Sequence, residues 1–227
     1  LSVNIQIQTN LMDASRSAGV ERFVFLGSSC IYPRMAEQPI RENSLMTGQL
    51  ESTKSAYAIA KIAGIELIKS YRKQYNHKWI SVMPTNLYGP KDNFDLNSSH
   101  VLPAMIRKFD DAIINSSKVV LWGSGKPKRE FMHSSDLAKA TIFLMESYDN
   151  SNHINVGTGE EVTIKELSEL IARLTGYKNE VEWDSSKPDG TPRKVMDNSI
   201  IKNLGWEPQI TLEEGIATTI DWYKANK

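Results

Sequence analysis

Helical segments in this chain alternate with strands of only four or five residues that carry apolar side chains on both faces, and that alternation limits the fold more than anything else. A strand apolar on both faces has to be covered front and back, which is how a parallel α/β sheet is built. The first such strand, Phe23-Val24-Phe25-Leu26, runs into Gly27-Ser28-Ser29, and the second, Trp79-Ile80-Ser81-Val82-Met83, ends at Pro84. Ahead of the first, Val3, Ile7, Leu11, Ala14 and Ala18 recur at helical spacing with Gly19 at the capping position, predicting a helix over residues 3–19. Residues 55–75 read as a second helix.

Residues 32–53 carry Pro33, Pro39, Asn43 and Gly48 with little periodicity, the pattern of a long loop that covers a site, and Asn86-Leu-Tyr-Gly-Pro90 reads as a turn. Beyond Pro90 the pattern changes to a polar loop at 92–99, helices at 101–112, 135–146, 163–174 and 211–225, and scattered strands at 119–122, 153–156 and 180–183. The third of these helices opens on a Thr163-x-x-Glu166 capping box. The expectation is an α/β protein: part of a Rossmann-type parallel sheet over residues 1–90, and a smaller substrate-binding α/β region over 91–227 interwoven with it.

The 227 residues hold 27 Lys and Arg against 27 Asp and Glu, and 40% are hydrophobic, which excludes disorder as the dominant state and argues against a general nucleic-acid binder. The lone Cys30 forms no intrachain disulfide, the opening LSVNIQIQTN is no signal peptide, and no apolar run approaches the ~20 residues that span a bilayer, so the cytoplasm is the expected location. His77, His133 and His153 lack partners at metal-ligand spacing, and no metal site is expected.

The chemistry starts at Tyr57-Ala-Ile-Ala-Lys61. Residues four apart share a helix face, so the ammonium is expected near the phenol, drawing its pKa of about 10 toward neutrality. Such a pair is common on ordinary helix faces, and it gains weight here from the serines at the carboxyl end of a strand, where open α/β sheets bind their ligands. Ser28 or Ser29 could hydrogen-bond the same oxygen that Tyr57 protonates, which outlines a hydride-transfer site.

Gly27-Ser-Ser-Cys-Ile-Tyr-Pro33, Tyr57-Ala-Ile-Ala-Lys61, Pro84-Thr-Asn-Leu-Tyr-Gly-Pro90 and Ser185-Ser-Lys-Pro-Asp-Gly-Thr-Pro-Arg-Lys194 together resemble the extended short-chain dehydrogenase/reductases over essentially the whole chain. The combination of Cys30, His100 and Lys-Pro-Asp-Gly-Thr-Pro-Arg is the most particular part of the likeness. The resemblance implies an NADP(H)-dependent enzyme that epimerises C3 and C5 of GDP-4-keto-6-deoxy-D-mannose and reduces C4 to give GDP-L-fucose. By motif position Ser28, Tyr57 and Lys61 match the reductase triad, and Cys30 and His100 the acid/base pair for epimerisation. Lys61, Pro84, Thr85, Asn86, Leu87 and His100 match cofactor positions; Lys108, Trp122, Arg129 and Asp189 match substrate contacts.

That division suits the chemistry, because hydrogens beside a ketone are acidified by enolate formation, and inverting those carbons takes one group to remove a proton and another to return it. A thiol near 8.5 and an imidazole near 6.5 exchange protons around neutral pH. Arg107-Lys108, Lys126-Pro-Lys-Arg129 and Arg193-Lys194 supply local positive charge for phosphates. The resemblance also implies a homodimer that pairs the helices over 3–19 and 55–75. Against the family pattern the glycine-rich turn of a dinucleotide site is missing, since Gly123-Ser-Gly125 leads into Lys-Pro, so an N-terminally shortened member is expected. The alternatives are another nucleotide-sugar epimerase, dehydratase or reductase of the family, and a catalytically silent sugar-nucleotide-binding fragment.

Overall fold

The computed structural model describes residues 1–227. Helix α1 (Ser2–Ser17) precedes β1 (Val24–Leu26); α2 (Ser55–Tyr75) leads to β2 (Ile80–Pro84) and β3 (Asn86–Tyr88). Then come α3 (Val101–Ile114), β4 (Val119–Trp122), β5 (Lys128–Arg129), β6 (Phe131–His133), α4 (Ser134–Ser147), β7 (Ile154–Val156) and β8 (Val162–Thr163). The chain closes with α5 (Ile164–Thr175), β9 (Val181–Asp184), β10 (Arg193–Lys194), α6 (Ser199–Asn203) and α7 (Leu212–Asn226). The segment expected as a turn at 86–90 begins as β3, paired in parallel with β6, and β5, β6, β8, β10 and α6 are additions to the expected elements.

The chain divides into two units. The first comprises Leu1–Thr85, Leu137–Gly159 and Val195–Pro208. Its sheet has the order β1-β2-β7 and is parallel throughout, and all five residues of β2 are buried. Helix α2 presses Ala58, Ala60, Gly64, Ile65 and Ile68 inward. Gly64 is required there, because a Cβ would run into the Phe25 ring of β1. The helix stops at Asn76, which takes the left-handed conformation (φ 58°) and returns its N–H to the Arg72 carbonyl.

The second unit comprises Asn86–Asp136, Glu160–Lys194 and Gln209–Lys227. Its core sets Leu102, Ile106 and Phe109 of α3 against Leu167 and Ile171 of α5 and Ile216 and Ile220 of α7. At roughly 1.5–3 kcal/mol for each fully buried large apolar side chain, this cluster is what holds three small sheets, β3-β6, β4-β9 and β10-β5-β8, in place. Both α5 and α7 start on capping boxes, Thr163 with Glu166 and Thr211 with Glu214.

Candidate active site

In the first unit the carboxyl ends of the parallel strands lie level: Gly27 N–H donates to the Val82 carbonyl (2.8 Å) and Thr85 N–H to the Val156 carbonyl (3.0 Å). A Cβ at Gly27 would collide with the Met83 thioether, so the chain can leave β1 here only through glycine. Ser28 follows in extended conformation, and its hydroxyl accepts the Cys30 N–H at 3.2 Å, opening a short turn over Ser29–Ile31. Of the two serines, Ser28 is the one that acts on the Tyr57 phenol, favouring its ionised form, whereas Ser29 is buried.

Burial raises the Tyr57 pKa, the neighbouring Cys30 raises it further, and Ser28 only partly opposes them. This reverses the expectation that Lys61 draws the phenol toward neutrality. The Lys61 ammonium donates instead to the Leu26 carbonyl (2.8 Å) and lies 5.7 Å from the Tyr57 ring centroid, while burial lowers its own pKa. Tyr57 is therefore kept as a protonated phenol, the form that can give a proton away. Pro84 ends β2 and Thr85 follows it, both buried at the same end of the sheet.

In the second unit Asn86 and Leu87 belong to β3, and the Asn86 carboxamide donates to the Glu130 carbonyl at 2.8 Å. His100 is the exposed residue at the start of α3 and makes no side-chain cap bond. Its imidazole acts on Asp92, whose pKa burial raises and His100 lowers. Asp92 is a neighbour that sequence reasoning missed, because it sits in a loop without periodicity.

Trp122, Arg129 and Asp189 line one cavity of about 200 Å³, together with Val101 and Ile164, the first residues of α3 and α5. Burial lowers the Arg129 pKa and Asp189 partly restores it. Asp189 is fastened by Ser124, Oδ1 accepting from the backbone N–H (2.6 Å) and Oδ2 from the hydroxyl (2.8 Å). Gly123, at φ +80°, makes room for it, since a Cβ would touch Oδ1. The Lys108 ammonium donates to the Val120 carbonyl (2.9 Å) and lies 5.9 Å from the Trp122 ring centroid. Of the four substrate residues expected, three line the cavity and Lys108 stands against the third's indole. None of the expected residues lines the larger hollow of the first unit, about 730 Å³ between residues 41–46 and His153.

A parallel sheet whose strand end holds a serine beside a helical tyrosine, with a half-buried lysine one turn further along, defines a nicotinamide-dependent α/β oxidoreductase or epimerase. The chain belongs to the NAD dependent epimerase/dehydratase family, whose model matches residues 1–157. It is 55% identical to probable GDP-L-fucose synthase 1 of Oryza sativa subsp. japonica, covering 100% of this chain and 70% of that protein. It is 50% identical to the GDP-L-fucose synthase of Escherichia coli strain K12, covering 99% and 73% of the two chains. Among solved structures it superposes with a TM-score of 0.93 on a GDP-L-fucose synthetase from Naegleria fowleri bound to NADP, at 31% identity over 98% of this chain and 72% of that one. No helix is long and apolar enough to cross a membrane.

The residues present fit the nicotinamide end of the cofactor. The glycine exit from β1, Tyr57, Lys61 and the Pro84-Thr85 step lie together at the end of the sheet. No strand-to-helix step in this chain carries a G-x-G-x-x-G turn, so no residue here is assigned to the pyrophosphate.

Proposed function

We propose that the chain performs the NADP(H)-dependent 3,5-epimerisation and 4-reduction of GDP-4-keto-6-deoxy-D-mannose to GDP-L-fucose. One observation carries the reading: Cys30 stands beside the Ser28–Tyr57 pair, close enough to act on the phenol. Reduction or 4-epimerisation needs only the serine, tyrosine and lysine, whereas inverting the carbons flanking the ketone needs a further proton-transfer group, and a thiol supplies one. The substrate class of the relatives named above supports the GDP-sugar, and the NADP in the Naegleria fowleri structure supports NADP(H).

In this mechanism Ser28 hydrogen-bonds the C4 carbonyl oxygen and stabilises charge as it develops there. Cys30 and His100 remove and return the protons at C3 and C5, each deprotonation giving an enolate and each reprotonation the inverted centre. Bound nicotinamide supplies the hydride for C4. Tyr57, held protonated by burial, gives its proton to the C4 oxygen, and Lys61 holds the nicotinamide ribose. Trp122, Arg129, Lys108 and Asp189 bind the GDP part. The enzyme works in the cytoplasm, where a catalytic thiol stays reduced, as a homodimer; the exposed stripe Val3, Ile7 and Leu11 along α1 supports that pairing.

A substrate comparison tests the reading. NADPH oxidation is expected with GDP-4-keto-6-deoxymannose, with no interconversion of UDP-galactose and UDP-glucose. The reverse pattern would assign the chain to a simple 4-epimerase.

A further inference from the structure

Beside the cavity of the second unit stands a cation, Lys187, to which neither the family resemblance nor the mechanism gives a role. After β9 the chain turns on Asp184, whose Oδ1 accepts from Ser186 N–H (3.0 Å) and Ser186 Oγ–H (2.5 Å), while Lys187 N–H donates to the Asp184 carbonyl (3.2 Å). Asp189 is then fixed to Ser124 as described. The segment is fastened on both sides of Lys187, which is itself exposed and holds its ammonium 5.6 Å from the Trp122 ring centroid.

Lys108 reaches the same ring. Each ammonium is attracted by the indole quadrupole, and neither makes a salt bridge. Lys108 bonds a backbone carbonyl, and Asp184, the carboxylate that Lys187 acts on, also accepts from Ser186. Two ammoniums thus stand at one exposed indole, and Arg129 and Asp189 line the same cavity as that indole. A ligand that brings two or more negative charges beside a flat apolar surface fits two ammoniums and a guanidinium next to an indole; a nucleoside diphosphate does both.

We propose that Lys187 is a further substrate-binding residue, whose ammonium binds the diphosphate of the nucleotide sugar together with Lys108 and Arg129. This rests on the nucleotide-sugar reading above. It also gives Asp189 a second task, holding the segment that carries Lys187 over Trp122.

The test is calorimetric titration of the 227-residue chain with GDP, UDP and guanosine, in the wild type and in Lys187→Met and Lys187→Arg. The expected result for Lys187→Met is diphosphate binding weakened by about tenfold, the loss of one charge-assisted contact, with guanosine binding unchanged and Lys187→Arg within about twofold of wild type. Unchanged diphosphate binding in Lys187→Met would overturn the proposal. So would an equal loss for guanosine, since the lysine would then act through the shape of the segment and not through charge. A wild type that prefers UDP to GDP would overturn the guanine reading alone, and the Lys187 loss, read with UDP, would still support the contact. A chain that binds neither nucleotide would overturn both.

Discussion

Tyr57 and His153 show how burial sets the state of a titratable group. Burial keeps Tyr57 a proton donor through neutral pH. Tyr57→Phe should therefore lower NADPH oxidation by about 10²- to 10⁴-fold while solvent exchange beside the ketone continues, read by deuterium uptake. His153 is buried beside the Tyr32 hydroxyl (3.0 Å), and burial, aided by the charge of Lys69, pushes its pKa down to about 4, against smaller opposing effects of Glu42 and Glu66. The unfolded chain protonates this histidine below about 6.5 and the folded chain only near 4. Its contribution is complete above the first value and is lost as pH falls toward the second, about 3 kcal/mol in all. His153→Gln should flatten the pH dependence of urea unfolding over that window; an unchanged slope would refute this. The Tyr57-x-x-x-Lys61 pair and the strand-end serine were legible in the sequence because their spacing is local. The direction of the phenol's pKa was not, since it depends on desolvation and on where the Lys61 ammonium points. Nor was the Tyr32, His153 and Asn155 cluster, in which Tyr32 lies more than a hundred residues from the other two.

Among the elements, α2 does most to position the site, since it carries both Tyr57 and Lys61 and is seated by its contact with β1. Gly64 sets the depth of that seat. Replacing it with alanine gains about 0.5–1 kcal/mol of helix propensity, but the methyl would meet the Phe25 ring, which is 5% exposed and has nowhere to go. Overpacking of this kind costs about 1–3 kcal/mol, so the net effect should be destabilising. Lys61, one turn from Gly64, should lose its bond to Leu26. Chemical denaturation of Gly64→Ala measures the first effect, and a weaker affinity for NADPH the second. The long helices were legible from their periodicity and caps, and β1, β2 and β7 from their apolar runs. The two- and three-residue strands β3, β5, β6, β8 and β10 carry no usable period, and the Gly89-Pro90 step made β3 read as a turn. Their pairing is decided by partners far along the chain, as Arg129 with Lys194 shows.

For the molecule as a whole, the chain enters each unit three times, with the first crossing at Thr85 and not at residue 90. A linear division by composition sees where the pattern of strands changes. It cannot see residues 137–159 and 195–208 returning to complete the first unit, because that return is made by α4, β7 and α6, whose partners are set by packing and not by their own pattern. Assigning the first unit to the cofactor and the second to the substrate remains part of the proposed function. On α1, Val3, Ile7 and Leu11 are 65%, 54% and 55% exposed in one stripe, more contiguous apolar surface than a helix that merely covers a sheet presents. If the proposed homodimer pairs through this stripe, Ile7→Glu shifts sedimentation from dimer to monomer at micromolar concentration and leaves the Tyr57 environment intact; a wild type that sediments as a monomer would contradict the pairing.

The proposed function turns on whether Cys30 moves protons at the carbons beside the ketone. Solvent deuterium incorporation at C3 and C5 of GDP-4-keto-6-deoxymannose, followed beside NADPH oxidation in wild type and Cys30→Ser, measures this directly. The account predicts incorporation lowered by about 10²-fold or more in Cys30→Ser, with NADPH still oxidised on a substrate already epimerised. Incorporation at both carbons at the wild-type rate would contradict it and leave Cys30 as a packed residue of the turn after Ser28.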